Sequence, residues 1–149
     1  MTTIAYRAGI MAGDGRETIQ NDEHSSWYVL QDKCHKVIKL KDGRLFGGAH
    51  GSESIVRLEN ALKQGLPPPK LEDIAGLLVD TKGAMWLYEG NMWQRVKGPY
   101  YAVGSGSILA FAAMDAGATA IEAVTIAARR DPFSGGKVTA VRLKRARVQ

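Results

Sequence analysis

A chain of 149 residues, 45% hydrophobic and 23% charged, has enough apolar side chains to bury one sizeable core and reads as a single domain over residues 1–149. With 17 Gly, 5 Pro and the lone Cys34, its composition excludes a disordered chain, a collagen-like repeat and a disulfide-stapled miniprotein. The net charge of +5 is concentrated: Arg129–Gln149 alone carries +6, leaving −1 for residues 1–128. A fold that binds nucleic acid spreads its basic residues over one face, so this stretch reads as a solvated or subunit-packing tail before a phosphate-tracking arm.

No apolar run approaches the ~20 residues of a membrane span. Met1–Ile4 lacks the basic and apolar regions of a signal peptide, which sets the expectation of a cytoplasmic protein without membrane contact.

In chain order, Thr2–Arg7 and Gly9–Gly13 read as a hairpin split at Ala8-Gly9, closed by the Asp14-Gly15 turn. Residues 16–26 are polar and read as loop, and Trp27–Leu30 as a brief strand. Cys34–Leu40 alternates with period two, Asp42-Gly43 turns the chain, and Leu45–Ala49 completes a second hairpin. Ile55, Leu58, Ala61 and Leu62 then recur at helical spacing, with Gly65 as C-cap and Pro67-Pro68-Pro69 forbidding continuation.

Four short strands follow: Ile74–Val79, Met85–Tyr88, Met92–Val96 and Tyr100–Val103. A small-residue helix after Ser105 is expected to turn Ile108, Leu109, Ala112 and Ala113 inward. A second, capped by Thr119, presents Ile121, Val124 and Ala128. Val138–Leu143 closes as a strand. The order predicts an α+β fold of antiparallel sheets covered by helices.

Thr2 is the first candidate for chemistry. Removal of Met1 would leave a hydroxyl and a free α-amine on one residue, and an amine of pKa near ~7.7 can act as general base for its own side chain. Many chains begin Met-Thr without such a role. Lys36 lies in the alternating segment. Directed at a hydroxyl its charge would favour the alkoxide, but the pattern alone favours a strand-edge lysine.

The glycine-serine turns at Gly47–Ser52, Gly104–Ser107 and Ser134–Gly136 match neither phosphate-loop nor nucleophile-elbow patterns. The first two precede helices, where free N–H groups can hold an anion. His24, His35 and His50 have no metal-ligand spacing. Cys34 and His35 fall on opposite faces of the expected strand, which disfavours a Cys/His nucleophile.

Six segments stand in order: Thr2-Thr3-Ile4, Ala12-Gly13-Asp14-Gly15, Lys36-Val37, Gly48-Ala49-His50-Gly51, Gly104-Ser105-Gly106-Ser107 and Arg130-Asp131-Pro132-Phe133-Ser134-Gly135-Gly136. Together they resemble the proteasome β-subunits and the bacterial HslV-type peptidase. The resemblance implies an N-terminal-nucleophile hydrolase, an αββα sandwich of two antiparallel sheets acting as a threonine endopeptidase.

On that resemblance Thr2 is the nucleophile, Lys36 the catalytic lysine and Asp14 its orienting acid. Gly48 donates to the oxyanion hole, and Ser105, Asp131 and Ser134 support the threonine amine. His50 lines the substrate pocket. No cofactor is required; a structural monovalent or divalent cation would be held by the backbone carbonyls of Ala128, Asp131 and Ser134.

The resemblance further implies a homo-oligomeric ring, unfolded polypeptide as substrate and an ATP-dependent unfoldase as partner. The segment Pro67–Asp73 leaves no room for the second helix of that layer, so the chain is compact for the family, as a phage-encoded or minimal version would be. The alternatives are a catalytically inactive scaffold of the same fold and, more distantly, a nucleic-acid-binding protein using the basic tail.

Overall fold

The computed structural model describes residues 1–20 and 26–144. Among them are eleven strands and three helices, a mixed α/β architecture with three antiparallel sheets. His24 and the last five residues of the basic tail lie outside the described residues.

Turn chemistry builds the hairpins. Strands β1 (Thr3–Arg7) and β2 (Ile10–Gly13) are joined by Ala8 and Gly9 with φ of 50° and 84°, the paired positive φ of a two-residue turn whose twist suits flanking strands. β10 (Tyr100–Gly104) pairs with the other edge of β1, and β11 (Thr139–Arg142) with β2, giving the order β10-β1-β2-β11. The second large sheet runs β5-β6-β7-β8-β9, from Val37–Lys39, Leu45–His50, Ile74–Val79, Met85–Glu89 and Met92–Val96.

Period two decides which core each side chain enters. In β1, Ile4 and Tyr6 join Val37, Leu45, Leu77 and Val103 in a core shared by the two large sheets. Ala5 points the other way, with Ala12 and Ala102, onto helices α2 (Ser107–Asp115) and α3 (Ala120–Arg130). Helix α1 (Ser52–Gln64), alone between β6 and β7, packs Leu58 against Phe46, Ile74 and Leu78 of the five-stranded sheet.

Helix ends follow their signals. Gly65, at φ 67°, caps α1 with the Leu66 amide on the Ala61 carbonyl and its own amide on Leu62, a Schellman arrangement. Thr119 and Glu122 form a reciprocal capping box at the start of α3, at 3.1 and 2.9 Å.

Three expectations need correction. Residues 16–26 are not all loop: β3 (Glu17–Gln20) pairs with β4 (Trp27–Gln31) as a separate two-stranded sheet. The strand expected over Cys34–Leu40 contracts to Val37–Lys39, so Cys34, His35 and Lys36 are irregular backbone. In α2 the buried residues are Ala110, Ala113 and Met114, while Ile108 is 81% exposed and Ala112 also faces out. Alanines on α2, α3 and the sheet let the layers approach closely, and that contact, not the largest side chain, sets the helix's rotation.

Candidate active site

The N-terminal edge of β1 meets three other parts of the chain. Thr2 is buried at the head of β1, and Lys36, just before β5, reaches its Oγ1 with Nζ at 3.0 Å. The same ammonium lies 3.0 Å from Asp14 Oδ1 and 2.8 Å from the Met1 carbonyl, and also donates to the Arg16 carbonyl. A lysine head so enclosed must be paired, and Asp14 is its counter-charge.

Asp14, fully buried after β2, is held by backbone amides. Thr3 N–H donates to Oδ1 at 3.0 Å, and Gly135 and Arg16 N–H donate to Oδ2 at 3.0 and 3.2 Å. Because its second oxygen is occupied by these amides, Oδ1 is the one presented to Lys36.

A second network approaches from the other side. Ser105 Oγ lies 2.6 Å from Asp131 Oδ2 and 3.3 Å from the Thr2 carbonyl. Ser134 Oγ donates to the same Asp131 oxygen at 2.5 Å and lies 2.7 Å from Thr3 Oγ1, while the Phe133 amide holds Oδ1. Thr3 therefore belongs to the site, although its place in a strand gave no sign of it.

The close fit requires glycine at two positions. A Cβ on Gly104, whose φ is 102°, would lie 1.9 Å from the Thr2 carbonyl oxygen, and one on Gly106 would lie 2.0 Å from Thr3 Oγ1. The turn from β10 to α2 can rest on Thr2 and Thr3 only without side chains there.

Thr2, Lys36, Gly48 and His50 all border one cavity of about 260 Å³. Cys34 and His35 border it as well. Their expected placement on opposite strand faces does not hold, because no strand exists there. Burial pushes the Cys34 thiol up, so it is a poor thiolate. His50 is exposed at the cavity edge in a left-handed conformation, φ 84°, and also borders a neighbouring cleft with Asp73 and Glu89. Helix α1 contributes Ile55, Val56 and Glu59 to the wall, none of them expected from sequence.

The Met1 amine donates to Thr18 Oγ1 at 3.0 Å. Burial first, and then the Lys36 charge, hold its pKa below the usual 8.0.

At the end of α3, Ala128 is half-buried, and Pro132 has no N–H to return to its carbonyl. The Asp131 carbonyl accepts the Ser134 amide at 3.2 Å. Among the described residues no three His, Cys, Asp or Glu are grouped to hold a metal, so a cation here would depend on backbone oxygens. Likewise, no helix is long and apolar enough to cross a membrane.

No family model matches the chain, and no curated protein matches it. Among solved structures it is similar to one described as Thiobacillus denitrificans BPH in complex with epoxomicin, at 18% sequence identity and a TM-score of 0.65. The alignment covers 96% of this chain and 98% of that one. At that identity the likeness carries the fold, and the fold of this chain is proteasome-like.

Proposed function

We propose that this chain is a threonine peptidase of the N-terminal-nucleophile type, with Thr2 as nucleophile after removal of Met1. The observation that carries the reading is the relay Asp14–Lys36–Thr2, two 3.0 Å contacts ending on a hydroxyl at the wall of a cavity.

Removal of Met1 frees the Thr2 amine. As Oγ1 attacks the scissile carbonyl carbon, its proton passes to that amine, directly or through water, and the Lys36 ammonium stabilises the oxygen as it loses the proton. The carbonyl oxygen becomes an oxyanion received by the Gly48 N–H. When the C–N bond breaks, the proton moves from the Thr2 ammonium to the leaving amine, giving an ester on Thr2. Water then attacks with the amine again as base, releasing the carboxylic acid and restoring the hydroxyl.

Asp14 holds Lys36 in place, while Ser105, Asp131 and Ser134 fix the threonine backbone and orient the amine. His50 borders the substrate. The carbonyls of Ala128, Asp131 and Ser134 would hold a cation that orders the Asp131 loop, and no chemical step requires it.

The layers are read as the αββα sandwich of these hydrolases, with α1 alone where relatives carry two helices. A cytoplasmic ring of identical chains, fed unfolded polypeptide by an ATP-dependent unfoldase, completes the proposal. Its support is the motif resemblance, HslV-type included, and strand β4, whose Trp27, Tyr28, Val29 and Leu30 are exposed and suited to burial against another copy.

The test is intact mass after exposure to a peptide epoxyketone, which reacts with both the hydroxyl and the amine of an N-terminal threonine. Loss of Met1 plus one adduct, absent from Thr2→Ala, is the expected result. A processed chain that takes no adduct overturns the nucleophile assignment and favours an inactive scaffold.

A further inference from the structure

Every charged side chain bordering the cavity except one is engaged. Lys36 is held by Asp14, Arg16 pairs with Asp32 at 2.8 Å, and Glu17 accepts from Gln31 Nε2 at 2.6 Å. Glu59 also borders the cavity, on α1 one turn beyond Ile55 and so on the same face of the helix. Among the described residues its carboxylate receives no hydrogen bond and no ion pair. It is not sealed in the core either, because the only fully buried, unpartnered side-chain oxygen or nitrogen described is Thr139 Oγ1.

We propose that Glu59 selects a cationic side chain, lysine or arginine, for the residue preceding the scissile bond. The assignment rests on the peptidase reading above and names the substrate class of that same cavity. Ile55 and Val56, beside Glu59, offer apolar surface to the methylene stem of such a side chain, while the carboxylate meets the charged head. Arginine supplies up to two parallel donors to a carboxylate and lysine one, so arginine binds the better.

Burial already pushes the Glu59 carboxyl above its ordinary value, a cost that an incoming cation relieves and a neutral or acidic side chain does not. The half-buried setting also limits screening by salt, though not entirely.

The test uses three fluorogenic peptides identical except for Arg, Leu or Glu before the leaving group, assayed on the processed full chain. The wild type is expected to cleave the Arg peptide about tenfold faster in kcat/KM than the Leu peptide, and the Glu peptide slowest. In Glu59→Gln the Arg-to-Leu ratio falls towards one, and in Glu59→Lys the Glu peptide overtakes the Arg peptide. Should either variant fail to fold, the wild-type ratio must still decline as salt is raised.

A wild type that prefers Leu or Glu, or a ratio indifferent to Glu59→Gln, overturns the specificity while leaving the peptidase standing. If no peptide is cleaved and no epoxyketone adduct forms, the nucleophile assignment fails and the specificity falls with it.

Discussion

Lys36 Nζ and Asp14 Oδ1 lie 3.0 Å apart with their side chains 9% and 0% exposed, a charge pair enclosed between the end of β2 and the start of β5. Removing one partner of such a pair strands the other. Asp14→Ala leaves the ammonium without its counter-charge and is expected to cost about 3–5 kcal/mol. Lys36→Met should cost less, since Asp14 retains three amide donors from Thr3, Arg16 and Gly135. Urea unfolding of both variants checks the order, and equal costs would mean that the amides do not sustain the carboxylate. Both variants should also lose most peptide hydrolysis.

The pH profile follows from the amine. Burial first and then Lys36 hold the Met1 amine below 8.0, against the opposing pull of Asp14, Asp131 and Glu17; on the proposed mechanism the Thr2 amine freed by loss of Met1 is the base. The base form is the active one, so hydrolysis rises with pH through the amine's pKa. The acid limb of kcat/KM should therefore belong to an amine and not to a carboxylate. A profile flat across the α-amine range, about pH 6–9, would contradict the amine as base.

Gly104→Ala confronts two obstacles, a positive φ of 102° and a Cβ 1.9 Å from the Thr2 carbonyl oxygen. The expected loss is about 2–4 kcal/mol, with Thr2 displaced as well. Thermal unfolding measures the first effect and epoxyketone labelling rate the second. Near-wild-type values in both would show that the turn can yield.

Glu59→Gln should stabilise the protein at neutral pH. Burial, only partly offset by the Lys63 charge, raises the folded carboxyl above its ordinary value of 4.5, so ionisation in the folded state carries a cost that is present at pH 7 and absent below about pH 4. The variant's Tm advantage should therefore shrink as pH falls from 7 to 4. An advantage that grows instead would reverse the sign of the burial effect.

Thr119→Ala removes the capping oxygen of α3 and the reciprocal contact with Glu122. A loss of about 1 kcal/mol is expected by urea unfolding, with kcat/KM at its wild-type value. A large catalytic defect would mean that the start of α3 is coupled to the Asp131 loop at its far end.

Much of the fold was legible because turn residues are chemically specific. Ala8-Gly9 carries the positive φ that its two-residue hairpin turn requires, and Gly65 ends α1 where the helical period stops. β3 was hidden because Glu17–Gln20 has no apolar alternation to display; its backbone pairing with β4 defines it. Ile108 misled because hydrophobicity alone cannot show that a helix approaches its sheet through alanines.

The site divides similarly. Thr2, Asp14 and Lys36 were named from motifs, but their contacts join residues up to 34 positions apart, and spacing does not reveal such proximity. Thr3 looked like any β-branched strand residue until the Ser134 hydroxyl was found beside it. Glu59 belongs, by sequence, to the polar face of an amphipathic helix; only the seating of α1 over the cavity gives it another meaning.

The hydroxyl contact between Thr3 and Ser134 spans 131 positions, and it has a consequence for synthesis. A ribosome delivers Thr2, Asp14 and Lys36 well before Asp131 and Ser134, which lie about a hundred residues beyond Lys36. A nascent or prematurely terminated product thus holds the hydroxyl and the lysine without the carboxylate network that frames them. On the proposed peptidase reading such a fragment should be inert, so that synthesis of the Asp131 segment is itself a safeguard against cutting polypeptide before the fold has closed around the threonine.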